Sequence, residues 1–186
     1  MRPQHLITRA TLAGIALALI GLNSVQAQEP PVGAPDQLAL LKSNDPKLAA
    51  NKKLVFDMYR AIVQGGRTEM AEQFFTKEYI QHNPNVKSGR DELVKYIGQT
   101  RPKRELKPLL DFPVISIIAE GDMVMLAVVT WEDEVDNPGK RYQTTHFDLY
   151  RIENGKIAEH WDHVPKSRAA LKFDPNVQSK EKVPAK

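Results

Sequence analysis

The sequence predicts an α+β fold: a cone-shaped α+β barrel in which N-terminal helices pack on a strongly curved, mostly antiparallel sheet. Segments with helical periodicity come first, over about residues 43–66, 68–76 and 88–100, and β-rich segments follow from about residue 111. Helices that precede a run of hairpin-connected strands are typical of α+β domains, whose helices gather on one face of the sheet. A curved sheet closed by helices encloses a cavity.

The first 27 residues have the layout of a cleavable secretory signal peptide. Basic Arg2 and Arg9 precede an apolar run from Ala10 to Leu22, and small or apolar residues lead up to a cleavage site after Ala27. The apolar run is shorter than the ~20 residues that span a bilayer, so cleavage is favoured over an uncleaved anchor. We predict a periplasmic or secreted protein with no membrane association after cleavage.

The remaining chain has the size of one domain. We place a linker or loosely docked arm at residues 28–43, the domain at 44–165 and a polar tail at 166–186. Loss of the two signal-peptide arginines leaves a nearly neutral protein, which argues against nucleic-acid binding. The absence of cysteine excludes disulfides and thiolate metal sites.

The first helix has local start and stop signals. Asn44 or Asp45 can cap it, Pro46 suits its first turn, and Gly65-Gly66 ends it. Its apolar residues recur at helical spacing, at Leu48, Val55, Met58, Tyr59 and Ile62. The short second helix directs Met70, Phe74 and Phe75 inward.

Residues 77–89 are predicted to form a loop, because Pro84 biases Asn83 away from helical geometry. A capping box of Ser88 and Asp91 then opens the third helix. Leu93, Val94 and Ile97 supply its apolar face.

Two hairpins complete the predicted fold. The first spans “DFPVISIIAEGDMVMLAVVTWEDEV” and turns at Glu120-Gly121. The second spans “RYQTTHFDLYRIENGKIAEHWDHV” and turns at residues 153–155.

The second hairpin carries the leading candidate site. A three-residue loop with a bulge would pair Ile152 with Lys156. Because side chains alternate along a strand, four polar residues would then share one face as two facing pairs: His146 with Asp162, and Asp148 with His160. A facing carboxylate can orient an imidazole and shift its pKa.

Other interpretations of these residues stay open. A two-residue loop would place His146 and Asp148 on a face with Glu159, Trp161 and His163 instead. The polar face could also be an ordinary solvated sheet surface. We predict no metal site, since His160 and His163 in one strand point to opposite faces.

Further candidates lie outside this hairpin. Tyr79, Gln81, His82 and Asn83 form a polar cluster in “YIQHNP”, which could equally be a plain turn. Trp131 and Trp161 could line a pocket or pack in the core.

“YIQHNP” before the third helix and “DLYRIENGKIAEHWD” in the last hairpin give the sequence a resemblance to a known family. Over residues 46–165 it resembles the SnoaL-like polyketide cyclases of the nuclear-transport-factor-2-like superfamily. The resemblance implies about three helices on a bent mixed sheet, a pocket inside the cone and a homodimer formed through the sheet. It also implies acid/base catalysis of intramolecular aldol cyclisation without a cofactor.

The resemblance assigns roles to individual residues. It implies that Asp162 is the base that removes a proton next to a carbonyl, that His146 hydrogen-bonds the enolate or acceptor oxygen, and that His82 positions substrate. A dry pocket would raise the pKa of Asp162. The candidate substrate-binding residues are Tyr59, Tyr79, Asn83, Trp131, Asp148, His160 and Trp161.

The leading functional hypothesis is an exported, cofactor-free acid/base enzyme that acts on a small carbonyl-containing or cyclic organic molecule. One rival is a non-enzymatic periplasmic binding protein of the same fold, whose His/Asp pairs only satisfy ligand oxygens. Another is an interaction module that uses its sheet for dimerisation alone, since fold does not settle function.

Overall fold

The structure, a computed structural model, describes residues 29–166. The predicted signal peptide, and all but the first residue of the predicted polar tail, lie outside these residues. The helices are α1 (Pro46–Met58), α2 (Ala71–Phe74) and α3 (Arg90–Thr100), and the strands are β1 (Phe75–Gln81), β2 (Val114–Glu120), β3 (Met123–Asp133), β4 (Arg141–Glu153) and β5 (Lys156–Asp162).

One mixed five-stranded sheet organises the described chain, in the order β1-β5-β4-β3-β2. β1 runs parallel to β5, and all the other neighbours are antiparallel. The helices pack on its inner face around a core that includes Val55, Phe56, Val124, Leu126 and Ile157. The predicted α+β class is confirmed, and the sheet stays open between its edge strands β1 and β2, as in a cone-like fold.

Helix α1 begins as its sequence predicts. The side chain of Asp45 accepts hydrogen bonds from the backbone N–H groups of Lys47 (2.7 Å) and Leu48 (3.4 Å), and Pro46 occupies the first turn. After Met58 the helix continues as a π-helical segment, Tyr59–Gln64. This wider segment contains Tyr59, whose side chain enters the candidate site.

The segment before α1 is docked on the sheet. The N–H of Ala34 donates to the carbonyl of Val114 at 2.7 Å. The Gln37 side chain donates to the carbonyl of Leu110 and accepts from its N–H, both at 3.0 Å. These bonds attach the segment to the chain leading into β2.

The predicted loop over residues 77–89 and the predicted capping box at the start of α3 are both wrong. Residues up to Gln81 form strand β1 rather than a loop, because Ile80 and Gln81 align with Glu159 and His160 of β5, a pairing that local sequence does not show. The N-cap of α3 is Gly89, at φ 103°, with no side-chain cap. Ser88 instead bonds β1: its hydroxyl accepts from the N–H of Gln81 at 3.0 Å and donates to the Gln81 carbonyl at 3.3 Å.

The register of the β4–β5 hairpin also differs from the prediction. Asn154 and Gly155, both at positive φ (51° and 73°), form a two-residue turn, so Glu153 rather than Ile152 pairs with Lys156. A bulge at Ala158 then shifts the pairing by one more residue, and Asp148 faces Asp162 while Tyr150 faces His160.

The predicted pairs His146–Asp162 and Asp148–His160 are therefore wrong as pairs. The shorter turn and the bulge each shift the pairing by one residue. Together they restore the predicted alternation of inward and outward side chains. His146, Asp148, His160 and Asp162 consequently still share the inner face of the sheet, as predicted.

In residues 29–166, no helix combines the length and the apolar character needed to cross a membrane.

Candidate active site

A cavity of about 1180 Å³ opens between the helices and the inner face of the sheet. This volume is slightly above the common range for small-molecule pockets, roughly 300–1000 Å³. Helices α1 and α3 contribute apolar wall residues, among them Met58, Leu93 and Ile97. The predicted site residues that line it are Tyr59, Tyr79, Asn83, Trp131, His146, Asp148, His160 and Asp162.

Asp148 is the centre of the polar cluster. Its Oδ1 accepts hydrogen bonds from His160 Nε2 at 2.7 Å and from His146 Nε2 at 3.3 Å, and its Oδ2 accepts from the Tyr59 hydroxyl. Burial raises the pKa of Asp148, but the hydrogen bonds from His146 and His160 outweigh it and hold the pKa well below its ordinary value. Asp148 is therefore a buried carboxylate that stays ionised and orients both imidazoles.

His160 has a hydrogen-bond acceptor at each ring nitrogen. Nε2 faces Asp148, and Nδ1 lies 2.8 Å from Oε1 of Gln81. The backbone N–H of Asn83 donates to the same Oε1 at 3.0 Å, which identifies that atom as the amide oxygen. The Tyr150 ring stacks on the His160 ring at 4.6 Å and fixes its plane.

His146 is the imidazole that remains available to a ligand. Its Nε2 points to Asp148, and its Nδ1 has no hydrogen-bond partner among residues 29–166. The hydrogen bond to Asp148 raises the pKa of His146, and burial only partly opposes this effect. A larger share of His146 is therefore protonated at neutral pH than of an ordinary histidine.

Asp162 lies beside this pair at the end of β5. Its side chain is 5 % exposed, its Oδ2 accepts from Asn83 Nδ2 at 2.5 Å, and its Oδ1 accepts from the N–H of Val164 at 3.1 Å. Ligand-forming atoms of His146, Asp148 and Asp162 lie within 4.8 Å of one another. One small functional group of a bound molecule can thus contact both His146 and Asp162.

Tyr59 and Tyr150 act as hydrogen-bond donors in this cluster, and the Tyr79 hydroxyl accepts from Gln81. Burial and the charge of Asp148 raise the pKa of Tyr59, Tyr79 and Tyr150 well above the ordinary phenol value. Tyr150 donates to the Tyr59 hydroxyl at 3.4 Å, and Tyr59 donates onward to Asp148. All three tyrosines therefore remain neutral, and Tyr59 and Tyr150 support the carboxylate.

His82 and Trp161, two predicted site residues, do not line the cavity. Their rings stack on each other at 4.7 Å with an interplanar angle of 5°. His82 Nε2 also lies 2.8 Å from Oε1 of Glu159, whose pKa is lowered because bonds from Arg151 and His82 outweigh the effect of burial. The alternation of β5 explains the placement, since Glu159 and Trp161 point away from His160 and Asp162.

The atoms of His146, Asp148 and Asp162 could also hold a metal ion on distance alone. Imidazole and carboxylate ligands of this kind suit several divalent cations. In the described structure, however, both oxygens of Asp148 already accept hydrogen bonds from the protein. The absence of a metal site stays a prediction from the sequence.

Tyr150 is a site residue that the sequence predictions missed, and Gln81 is predicted only as a member of a polar cluster, without its contact to His160. Gln81 lies opposite His160 on the parallel strand β1, and its Nε2 donates to the Tyr79 hydroxyl at 3.0 Å. Treating “FTKEYIQ” as a strand would have placed Tyr79 and Gln81 on one face. Tyr150 continues the alternation of His146 and Asp148, so the spacing of β4 already contained that signal.

Comparison with known proteins identifies the type of chain. Residues 53–170 match the profile of the SnoaL-like polyketide cyclases. No curated protein matches significantly.

Similar solved structures include TsrD from Streptomyces laurentii (22% identity, 65% of this chain and 90% of that chain covered, TM-score 0.45). An LEH-like epoxide hydrolase from M. tuberculosis is also similar (11% identity, 61% and 80% covered, TM-score 0.44). A third is a ketosteroid isomerase-like protein from Catenulispora acidiphila (18% identity, 69% and 92% covered, TM-score 0.42).

Proposed function

Because the chain belongs to the SnoaL-like polyketide cyclase family, we propose that it is an exported, cofactor-independent acid/base enzyme. Its substrate is a small carbonyl-containing organic molecule, and the reaction is an aldol cyclisation, an isomerisation or a related lyase step. The observation that carries this proposal is the placement of Asp162 beside His146 in one cavity, with His146 held by the ionised Asp148.

Asp162 is the proposed base. Its bonds to Asn83 and to the N–H of Val164 fix the carboxylate and leave other lone pairs free to accept a proton. It removes the proton from the carbon next to the substrate carbonyl, and the electron pair of that C–H bond forms an enolate.

His146 is the residue proposed to stabilise the negative charge that develops on the substrate oxygen. In its protonated form it donates a hydrogen bond to the oxygen on which negative charge accumulates. The raised pKa of His146 favours this form at neutral pH. In a cyclisation the enolate carbon attacks a second carbonyl of the same molecule, and that carbonyl oxygen takes a proton from His146. The proton held by Asp162 then passes to His146, which restores both groups. In an isomerisation the proton held by Asp162 returns to a different carbon.

A metabolite-depletion experiment tests the proposal. Wild-type protein, Asp162→Asn and Asp122→Asn are each incubated with an extract rich in small carbonyl compounds, and mass spectrometry follows what is consumed and what stays bound. Asp122 is an exposed turn residue outside the cavity, so its variant is the matched control. We expect wild type and Asp122→Asn to consume the same compound and Asp162→Asn to leave it.

The same experiment would also identify a protein that binds ligands without turning them over. Compounds that all three proteins retain and none consumes would identify a ligand-binding protein, and the acid/base roles of Asp162 and His146 would be wrong.

Export is part of the proposal and has its own test. The basic start, short apolar run and Val25-Gln26-Ala27 support cleavage after Ala27. Intact-mass measurement of the protein from a periplasmic or culture fraction should give a chain that begins at Gln28. A full-length chain in the membrane fraction would contradict this.

A further inference from the structure

The arginines of residues 29–166 differ in their partners. Most form a salt bridge with a carboxylate: Arg60, Arg67, Arg90, Arg141 and Arg151. In the same part of the chain, the guanidinium groups of Arg101 and Arg104 have no hydrogen-bond or carboxylate partner. Of these two, Arg101 lines the cavity that holds Asp162 and His146, and Arg104 does not.

Arg101 directly follows helix α3, and its backbone N–H donates to the Ile97 carbonyl at 2.8 Å. This bond fixes the start of the side chain at the cavity wall. The charge of Arg101 also acts on the buried Tyr59 phenol, whose pKa it lowers. The effects of burial and of Asp148, which raise that pKa, are larger. Arg101 therefore lines the same cavity as the polar cluster and is also exposed to solvent.

We propose that Arg101 is an anion-binding subsite of this cavity and that the bound molecule carries a carboxylate or a comparable anionic group. A guanidinium presents paired N–H donors that match a carboxylate or a phosphate in a two-point contact. The statement that this molecule also carries a reacting carbonyl rests on the proposed function.

The other residues of the cavity wall favour direct contact between the anionic group and Arg101 over long-range electrostatic attraction. The cavity wall also carries three further cations and four carboxylates, so its net charge is small: Lys87, Lys95 and Arg141, and Glu92, Glu132, Asp148 and Asp162. Val63 and Phe112 provide apolar wall beside Arg101. This combination fits an amphipathic organic acid better than a small inorganic ion.

A binding experiment tests the subsite without any need for turnover. Short and long keto acids, their methyl esters and phenyl phosphate are titrated into wild-type protein, Arg101→Gln and Arg104→Gln, and dissociation constants are measured by calorimetry. Arg104→Gln makes the same change of charge outside the cavity. A cation at a helix C-terminus also stabilises the fold. Urea unfolding of each variant therefore shows whether a change in ligand binding comes from lost recognition or from lost stability.

We expect at least one keto acid to bind wild type and Arg104→Gln about tenfold or more tightly than its methyl ester. In Arg101→Gln this preference should disappear while ester binding is retained. Phenyl phosphate shows whether phosphate is accepted in place of carboxylate.

Three results would overturn the subsite: no acid preferred over its ester by wild type, the preference kept in Arg101→Gln, or the same loss in Arg104→Gln. None of them bears on the proton-transfer roles of Asp162 and His146, which the depletion experiment decides separately.

Discussion

At Asp148, three hydrogen bonds meet on one buried carboxylate, from His146, His160 and Tyr59. A buried charge is tolerated when it is paired and hydrogen-bonded, and it is costly when its partners are left alone. Asp148 therefore affects both the stability of the domain and the orientation of the imidazole that faces the cavity.

Asp148→Asn should destabilise the protein by about 3 kcal/mol near neutral pH, because it leaves two imidazoles without their buried counter-charge. Since the native pKa of Asp148 is lowered, its contribution to stability is complete above the ordinary carboxyl pKa of about 4. It is lost as the pH falls from there towards the lower native value. Urea unfolding at a series of acidic pH values should show a smaller loss of stability in Asp148→Asn than in wild type.

Asp133→Asn is the control for this measurement, because Asp133 pairs with Arg141 at the surface and its side chain is 84 % exposed. Its stability and its pH dependence should match those of wild type. Equal acid sensitivity in Asp148→Asn and wild type would show that Asp148 is not the stabilising carboxylate described here.

At the scale of elements, the β4–β5 hairpin determines which side chains reach the cavity. Asn154-Gly155 is a turn that the sequence indicates locally, and Asp45-Pro46 at the start of α1 is another such signal. The bulge at Ala158 and the parallel pairing of Gln81 with His160 depend on strands far apart in sequence. Sequence reasoning therefore predicted the shared face of the four polar residues correctly, but not their pairs and not the contact of Gln81 with His160.

Two glycines that have open space around them test the turn. Gly155 has φ +73°, and no atom lies within 4 Å of the place that a Cβ would occupy, so Gly155→Ala should cost about 1 kcal/mol through backbone strain alone. Gly98 in α3 has equally open space and no positive φ, so Gly98→Ala should stabilise by about 1 kcal/mol through helix propensity. Urea unfolding should give opposite signs, and a neutral Gly155→Ala would contradict the left-handed turn.

At the scale of the whole molecule, the outer face of the sheet carries a row of apolar side chains. Ile118, Met125, Leu149 and Trp161 face one another in a row across β2, β3, β4 and β5. Phe147 lies beside this row. Ile118 is 53 % exposed and Phe147 is 47 % exposed. A patch of this kind marks an interaction surface, and we propose that a second copy of the chain covers it, as in the homodimer that the family resemblance implies.

Phe147→Glu should therefore shift the protein from dimer to monomer, because a charge in the centre of an apolar self-complementary interface is desolvated without a partner. Light scattering coupled to size exclusion measures the mass directly. Val135→Glu, at an apolar residue that is 95 % exposed outside the sheet, should leave the dimer intact. A monomeric wild-type protein would contradict the proposed interface.

The most direct test of the account is hydrogen–deuterium exchange at carbon, because it detects proton removal whatever product follows. Small ketones and keto acids are incubated in D₂O with wild type, Asp162→Asn or Asp122→Asn, and mass spectrometry measures deuterium next to the carbonyl. Wild type and Asp122→Asn should accelerate the exchange of at least one compound, and Asp162→Asn should be slower by about a hundredfold or more. Equal acceleration by Asp162→Asn, or none by wild type, would contradict an acid/base enzyme with Asp162 as its base.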